Sequence, residues 1–161
     1  MEPTKILFVC LGNICRSPMA EGLMLHLVNQ AGVNDRFLIE SAGTSSYHQG
    51  ELPDKRMRET ARQHGIDLTS RARQFRKRDL QEYDHIIAMD RSVLHDIQTM
   101  NTYGEAARAQ VYLMRDHDPN PGSPDVPDPY YGGPDGFEEV YQILHRSNAT
   151  LLQKLLNPQR D

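Results

Sequence analysis

The sequence predicts an α/β fold, a parallel sheet with helices on both faces. Three observations carry this. Short β-rich apolar runs alternate with stretches of helical period along the chain. The first run, Lys5–Cys10, is apolar at successive positions, as a strand covered on both sides requires. The length, 161 residues, suits one domain with one sizeable core, over 1–161. Alternating strands and helices imply βαβ units with right-handed crossovers.

The elements follow in order. After the Lys5–Cys10 strand comes a tight turn, "CLGNICRSP". Ser17 suits an N-cap and Pro18 a first helical residue, so the first helix is expected to start there. Apolar residues at 20, 23, 24, 27, 28 and 31 keep helical period, and Gly32 stops it. "RFLIESAG" reads as a second strand, and "PDKRMRETARQHG" as a helix ending at Gly65. "DHIIAM" is a third strand, "RSVLHDIQTM" a helix after it, and "AQVYLM" a fourth strand. A proline-rich loop follows, "DHDPNPGSPDVPDPYYGGPDG". The last helix carries Phe137, Val140, Tyr141, Leu144, Leu151, Leu152 and Leu155 on one face, and Pro158 ends it. The basic stretch "RARQFRKR", 71–78, reads as a solvated helix or loop face, with steering of acidic partners as its alternative use. No internal repeat or low-complexity tract interrupts this order.

Composition narrows the function. Net charge is −4 and the isoelectric point about 6.0, against the strongly basic face that broad nucleic-acid binding needs. No apolar run approaches the roughly 18 residues of a membrane span. The N-terminus lacks the features of a secretory signal, so a cytoplasmic protein is expected. Both cysteines lie in the opening turn, which excludes a disulfide framework. No histidine pair has zinc-ligand spacing, and no cofactor or metal is expected. Asp116, Asp118 and Asn120 are spaced like the first calcium ligands of a helix–loop–helix site, but Pro127 falls where the bidentate Glu belongs.

The turn is the chemical centre. In a parallel sheet, ligands bind beyond the carboxyl ends of the strands, at a switch point. Gly12 and Asn13 tolerate left-handed backbone angles, and a turn so built points successive N–H groups inward as an anion nest. The nest runs into a helix N-terminus, with its positive dipole end. Arg16 adds a planar fork suited to two oxygens of a tetrahedral oxyanion. Cys10 ends the strand beneath. Helix N-termini and adjacent cations favour thiolate over thiol, so the features that bind phosphate also prepare a sulfur nucleophile. Attack on phosphorus would give a cysteinyl-phosphate. The leaving oxygen then needs a general acid, and Asp128 in "VPDPYYGG" is the best candidate, because the prolines on either side stiffen its loop. The ATP-binding motif G-x-x-x-x-G-K-[ST] is absent.

Cys10-x5-Arg16-Ser17, taken with Asp128-Pro129-Tyr130-Tyr131, resembles the low-molecular-weight protein tyrosine phosphatases. "SAGTSSYHQG", "PD-x-R", the length and the strand–helix order extend that resemblance over nearly the whole chain. It implies a four-stranded parallel sheet of order 2-1-3-4. It implies that Cys10 is the nucleophile, Arg16 the phosphate-binding arginine, and Asp128 the acid and then the base that activates water. Leu11, Gly12, Asn13, Ile14 and Cys15 would form the phosphate loop, with Ser17 supporting the thiolate and Asn13 tied to Ser41. Cys15 matches a second loop cysteine able to pair with the nucleophile. Tyr47, where relatives often have tryptophan, and Tyr130, with Tyr131 beside it, would wall the cleft. Some members have a histidine where this chain has Ser70. The expected partners are phosphotyrosine proteins, with a tyrosine kinase as a candidate, on a monomer or weak oligomer.

The alternatives share the fold or the ligand. An arsenate reductase of the thioredoxin-linked type needs distal cysteines, and none follows Cys15. A protein-arginine phosphatase resembles a version with threonine where this chain has Ile14. A silent phosphotyrosine-binding module would not need Cys10, Arg16 and Asp128 together.

Overall fold

The computed structural model describes residues 2–133 and 135–158. Four parallel strands form one sheet: β1 (Thr4–Cys10), β2 (Phe37–Gly43), β3 (His85–Ala88) and β4 (Gln110–Leu113). Their spatial order is β2-β1-β3-β4, the order the resemblance implied. β1 therefore lies between β2 and β3, with Cys10 opposite Gly43 and Phe8 opposite both Ser41 and Ile87. From β1 the chain turns first to one neighbour and later to the other. That makes the end of β1 the switch point where ligands bind in such sheets.

Ile6, Leu7, Phe8 and Val9 have no solvent exposure, so β1 is covered on both faces. Each such side chain contributes about 1.5–3 kcal/mol of burial. Ile6 and Phe8 pack with Met19 and Leu23 of α1 (Arg16–Gln30), Met57 of α2 (Lys55–Gln63) and Phe137 and Leu144 of α5 (Asp135–Leu156). Leu7 and Val9 pack with Leu80 of α3 (Asp79–Glu82) and with Val93 and Ile97 of α4 (Arg91–Met100). Alternation along one strand thus feeds two cores. Among the described residues, no helix is long and apolar enough to cross a membrane.

Three expectations need correction. α1 begins at Arg16, with Cys15 at the cap position and no side-chain cap, rather than with Ser17 as N-cap and Pro18 as first residue. The Ser17 hydroxyl is used elsewhere: it lies 3.0 Å from Cys10 Sγ. Gly12 is not left-handed; within the turn that conformation falls to Asn13 alone, at φ 57°. Gly12 matters instead for space, since a Cβ there would stand 3.2 Å from the His48 ring. The basic stretch is a loop, and not all of it is solvated. Phe75 is buried, and Gln74 bridges to Gly43 beyond the edge of β2. Its continuation folds into α3, a single turn that the apolar period does not announce.

Candidate active site

The turn after β1 is held from outside by its carbonyls. Thr44 N donates to Cys10 O at 3.0 Å, Ser45 N to Leu11 O at 2.9 Å, and Asp54 N to Ile14 O at 2.8 Å. With those oxygens occupied outward, the loop turns N–H groups toward the sulfur, and Asn13 N lies 3.2 Å from Cys10 Sγ. Gly43 lets this loop come close, because a Cβ there would fall 2.8 Å from Leu11 O and 3.0 Å from Asn13 N. Asn13 Nδ2 donates to Ser17 Oγ at 2.7 Å and to Ser41 Oγ at 3.0 Å. Ser41 in turn donates to the buried carboxylate of Glu21.

Arg16 is nearly fully buried. Its Nη1 donates to Asp90 Oδ2 at 2.6 Å and to Val126 O at 3.0 Å. Its Nη2 stands 3.6 Å from Asp128 Oδ2, at the cleft. Burial works against the guanidinium charge, but Cys10 and Asp90 more than offset it and hold the group firmly protonated. Asp90 has two tasks: its other oxygen caps α4 by accepting from Val93 N at 2.8 Å. Asp128 is partly exposed, and its Oδ1 accepts from Tyr130 N at 3.0 Å, which orients the carboxylate.

These groups border a cleft of about 500 Å³. Cys10, Leu11, Gly12, Ile14, Cys15, Arg16, Tyr47, Asp128, Tyr130 and Tyr131 all line it, so most of the expected site converges there. Asn13, Ser17 and Ser41 lie behind the loop, each under a tenth exposed. Tyr47 and Tyr131 stand far out in solvent, 83% and 92% exposed, while Tyr130 is half-buried. Burial, and then the nearby Asp54 carboxylate, push the Cys15 thiol well above its ordinary value. Both cysteines are free.

Sequence reasoning missed several members. His48 lines the cleft between Tyr47 and Tyr130, at ring separations of 4.7 and 6.2 Å, with Nδ1 3.1 Å from Glu51. Ser45 also lines it. Asp90 was legible as a helix cap, directly before an apolar-periodic run, but its hold on Arg16 was not. Glu21 and Arg73, which support the loop from beneath, carried no local signal.

A strand delivering Cys-x5-Arg into a helix N-terminus, with a carboxylate over the arginine and aromatic rings at the rim, defines the class: an α/β phosphatase. Residues 5–160 match the family model described as low molecular weight phosphotyrosine protein phosphatase, and this chain belongs to that family of hydrolases. The low molecular weight phosphotyrosine protein phosphatase of Schizosaccharomyces pombe is 44% identical over 153 residues, covering 94% of this chain and 96% of its own. Among solved structures, a protein tyrosine phosphatase from Entamoeba histolytica with Hepes in the active site superposes with TM-score 0.92 at 36% identity, covering 97% of this chain and 99% of that one. The drosophila arginine phosphatase superposes with TM-score 0.89 at 31% identity, covering 94% and 98%.

Proposed function

We propose that this enzyme, one domain over 1–161 acting in the cytoplasm, hydrolyses phosphotyrosine in proteins through a cysteinyl-phosphate on Cys10. The observation that carries the reading is the setting of the Cys10 sulfur. It sits at the cleft floor within 3.0 Å of the Ser17 hydroxyl and 3.2 Å of the Asn13 N–H, and Arg16 opens the helix beside it. In the first step the sulfur electron pair attacks phosphorus, and the bond from phosphorus to the phenolic oxygen breaks. Asp128 gives its proton to that oxygen, and tyrosine leaves. In the second step Asp128 takes a proton from water as the water oxygen attacks phosphorus. The phosphorus–sulfur bond breaks, and inorganic phosphate and the thiolate return. Arg16 Nη2 and the loop N–H groups meet the equatorial oxygens, where each preorganised donor is worth roughly 10²–10³ in rate.

Phosphotyrosine suits the cleft because aromatic rings rim it and the sulfur lies at its floor, so a long aromatic ester reaches where a short alkyl ester would not. Ile14, an apolar and buried side chain on that floor, favours this reading over a phosphoarginine substrate. Cys10→Ser should abolish turnover of p-nitrophenyl phosphate and phosphotyrosine peptides yet keep measurable binding of inorganic phosphate, whereas Arg16→Ala should weaken both. Undiminished hydrolysis by the Cys10→Ser protein would end the covalent route, and preferential turnover of phosphoarginine peptides would end the substrate assignment.

A further inference from the structure

Beneath the cleft lies a layer of polar groups that the chemical steps do not use, with the Asn13 side chain at its centre. Its Nδ2 donates to Ser17 and Ser41, and its Oδ1 accepts from the main-chain N–H of Arg73 at 3.0 Å. The two ends of an amide are alike in shape and opposite in hydrogen-bonding sense. The Arg73 N–H distinguishes them, because only Oδ1 can accept from it. With Nδ2 thereby turned to Ser17, the Ser17 oxygen is engaged as an acceptor and its own proton is available to the Cys10 sulfur at 3.0 Å, with Ala42 O a longer alternative at 3.3 Å. In the flipped sense, Oδ1 would draw that proton away from the sulfur.

Arg73 is itself held in place. Gly43 N donates to its carbonyl at 2.9 Å, and on either side Phe75 N reaches Gly43 O while Ala72 N reaches Glu51 O. Its guanidinium grips Asp79 through two bonds of 3.0 and 3.2 Å and also donates to Tyr83. The Asp79 side chain is fully buried and additionally accepts from Arg76 N at 2.8 Å. Separating such a pair would strand a buried charge, so the clamp is stiff.

We propose that Arg73, clamped by Asp79, is a positioning residue whose main-chain N–H sets the sense of the Asn13 amide and so directs the Ser17 proton to the Cys10 sulfur. This deepens the proposed function and rests on Cys10 being its nucleophile. Around Cys10, the charged and titratable groups lining the cleft are Arg16 on α1, Cys15 on the loop, Tyr47 and His48 between β2 and α2, and Asp128, Tyr130 and Tyr131 ahead of α5. Behind Asn13 stand Glu21 on α1, Glu40 on β2 and the Arg73 guanidinium.

The test reads the thiol directly. Cys10 alkylation by iodoacetate is followed against pH by peptide mapping, in wild type, Asp79→Asn, Arg73→Lys, Asn13→Ala and Asp79→Asn combined with Asn13→Ala, with circular dichroism verifying the fold. In Asp79→Asn the alkylation profile should move up by about one pH unit, a loss of about tenfold in rate below the midpoint. Arg73→Lys, which keeps a cation but loses the fork, should move it less, and it decides the matter if Asp79→Asn does not fold. In the Asn13→Ala background, Asp79→Asn should add nothing further. An unmoved profile in a folded variant, or the same displacement with and without Asn13, overturns the proposal. Alkylation does not require turnover: wild type that alkylates as expected but fails on phosphotyrosine would overturn the function and leave this inference standing.

Discussion

At the scale of single residues, the two thiols of the turn differ in what surrounds them. Cys10 meets a hydroxyl and an N–H, whereas burial and Asp54 keep Cys15 protonated at neutral pH. Cys15 is therefore suited to wait as a thiol. If peroxide oxidises the Cys10 sulfur to a sulfenic acid, attack by Cys15 would displace water from it and form a disulfide, which added dithiols reduce. Peroxide followed by dithiothreitol should restore most activity to wild type and much less to Cys15→Ser. Equal recovery, or the absence of a Cys10–Cys15 linked peptide by mass spectrometry, would leave Cys15 as packing only. Asp128 gives a second expectation at this scale. A proton donor to the leaving oxygen, the role proposed for it, matters least when that oxygen leaves easily. Asp128→Ala should slow p-nitrophenyl phosphate far less than an alkyl-substituted phenyl phosphate, and it should flatten the basic limb of the pH–rate profile. Equal losses for both esters would remove Asp128 from the acid role.

Between elements, buried carboxylates do much of the joining. Asp118, whose side chain is fully buried, accepts from Arg146 of α5 at 2.8 and 3.2 Å and from Arg115 of the short 3-10 turn Met114–His117 at 3.1 Å. Burial alone would raise its pKa, but Arg146, the Asn120 N–H and Arg115 hold it below the ordinary 3.8. Folding thus favours the ionised form. The stabilisation is complete above 3.8 and is lost as the pH falls through the lower folded-state value. Asp118→Asn should lower stability by roughly 3 kcal/mol at pH 7, toward the small end for a broken buried pair because Arg146 is 34% exposed. Urea unfolding at pH 7 and near pH 3 checks this: the gap between variant and wild type should narrow in acid, and a gap that widens there would contradict it. Asp90 and Asp79 work similarly, each joining a helix start to an arginine that serves the loop.

Over the whole molecule, a ligand of the folded loop should stabilise the entire chain, because the loop connects the central strand to a helix of the larger core. Inorganic phosphate at about 100 times its Kd should add about 2.7 kcal/mol. That corresponds to roughly 5–10 °C in Tm for a domain of this size. Arg16→Ala should flatten the rise. Differential scanning calorimetry decides: no phosphate-dependent shift in wild type would mean that the loop does not bind the anion, and two separated transitions would contradict a single domain.

Much of this was written locally in the chain. α4 runs over the expected residues 91–100, Asp54 caps α2 where the sequence places a helix start, and β1 is apolar because both its faces are covered. The loop was equally legible, since Cys10, Asn13, Arg16 and Ser17 lie within eight residues and a turn of that length leaves them little choice but to converge. Periodicity records which face of an element is apolar, and turn residues record where the backbone bends. Neither records which distant polar group a buried side chain will meet. That is why the start of α1 was misplaced: whether the Ser17 hydroxyl caps a helix or faces a sulfur depends on Asn13, and Asn13 depends on Ser41 and on Arg73, 60 residues away. Asp90, 74 residues from Arg16, and His48 against Gly12 are of the same kind. By itself the sequence determined the four strands, the longer helices and the reactive turn, through local sterics and hydrophobic period. Only the packed structure decided how that turn is braced, because hydrogen-bond partners between remote segments exist only once the two cores have brought those segments together.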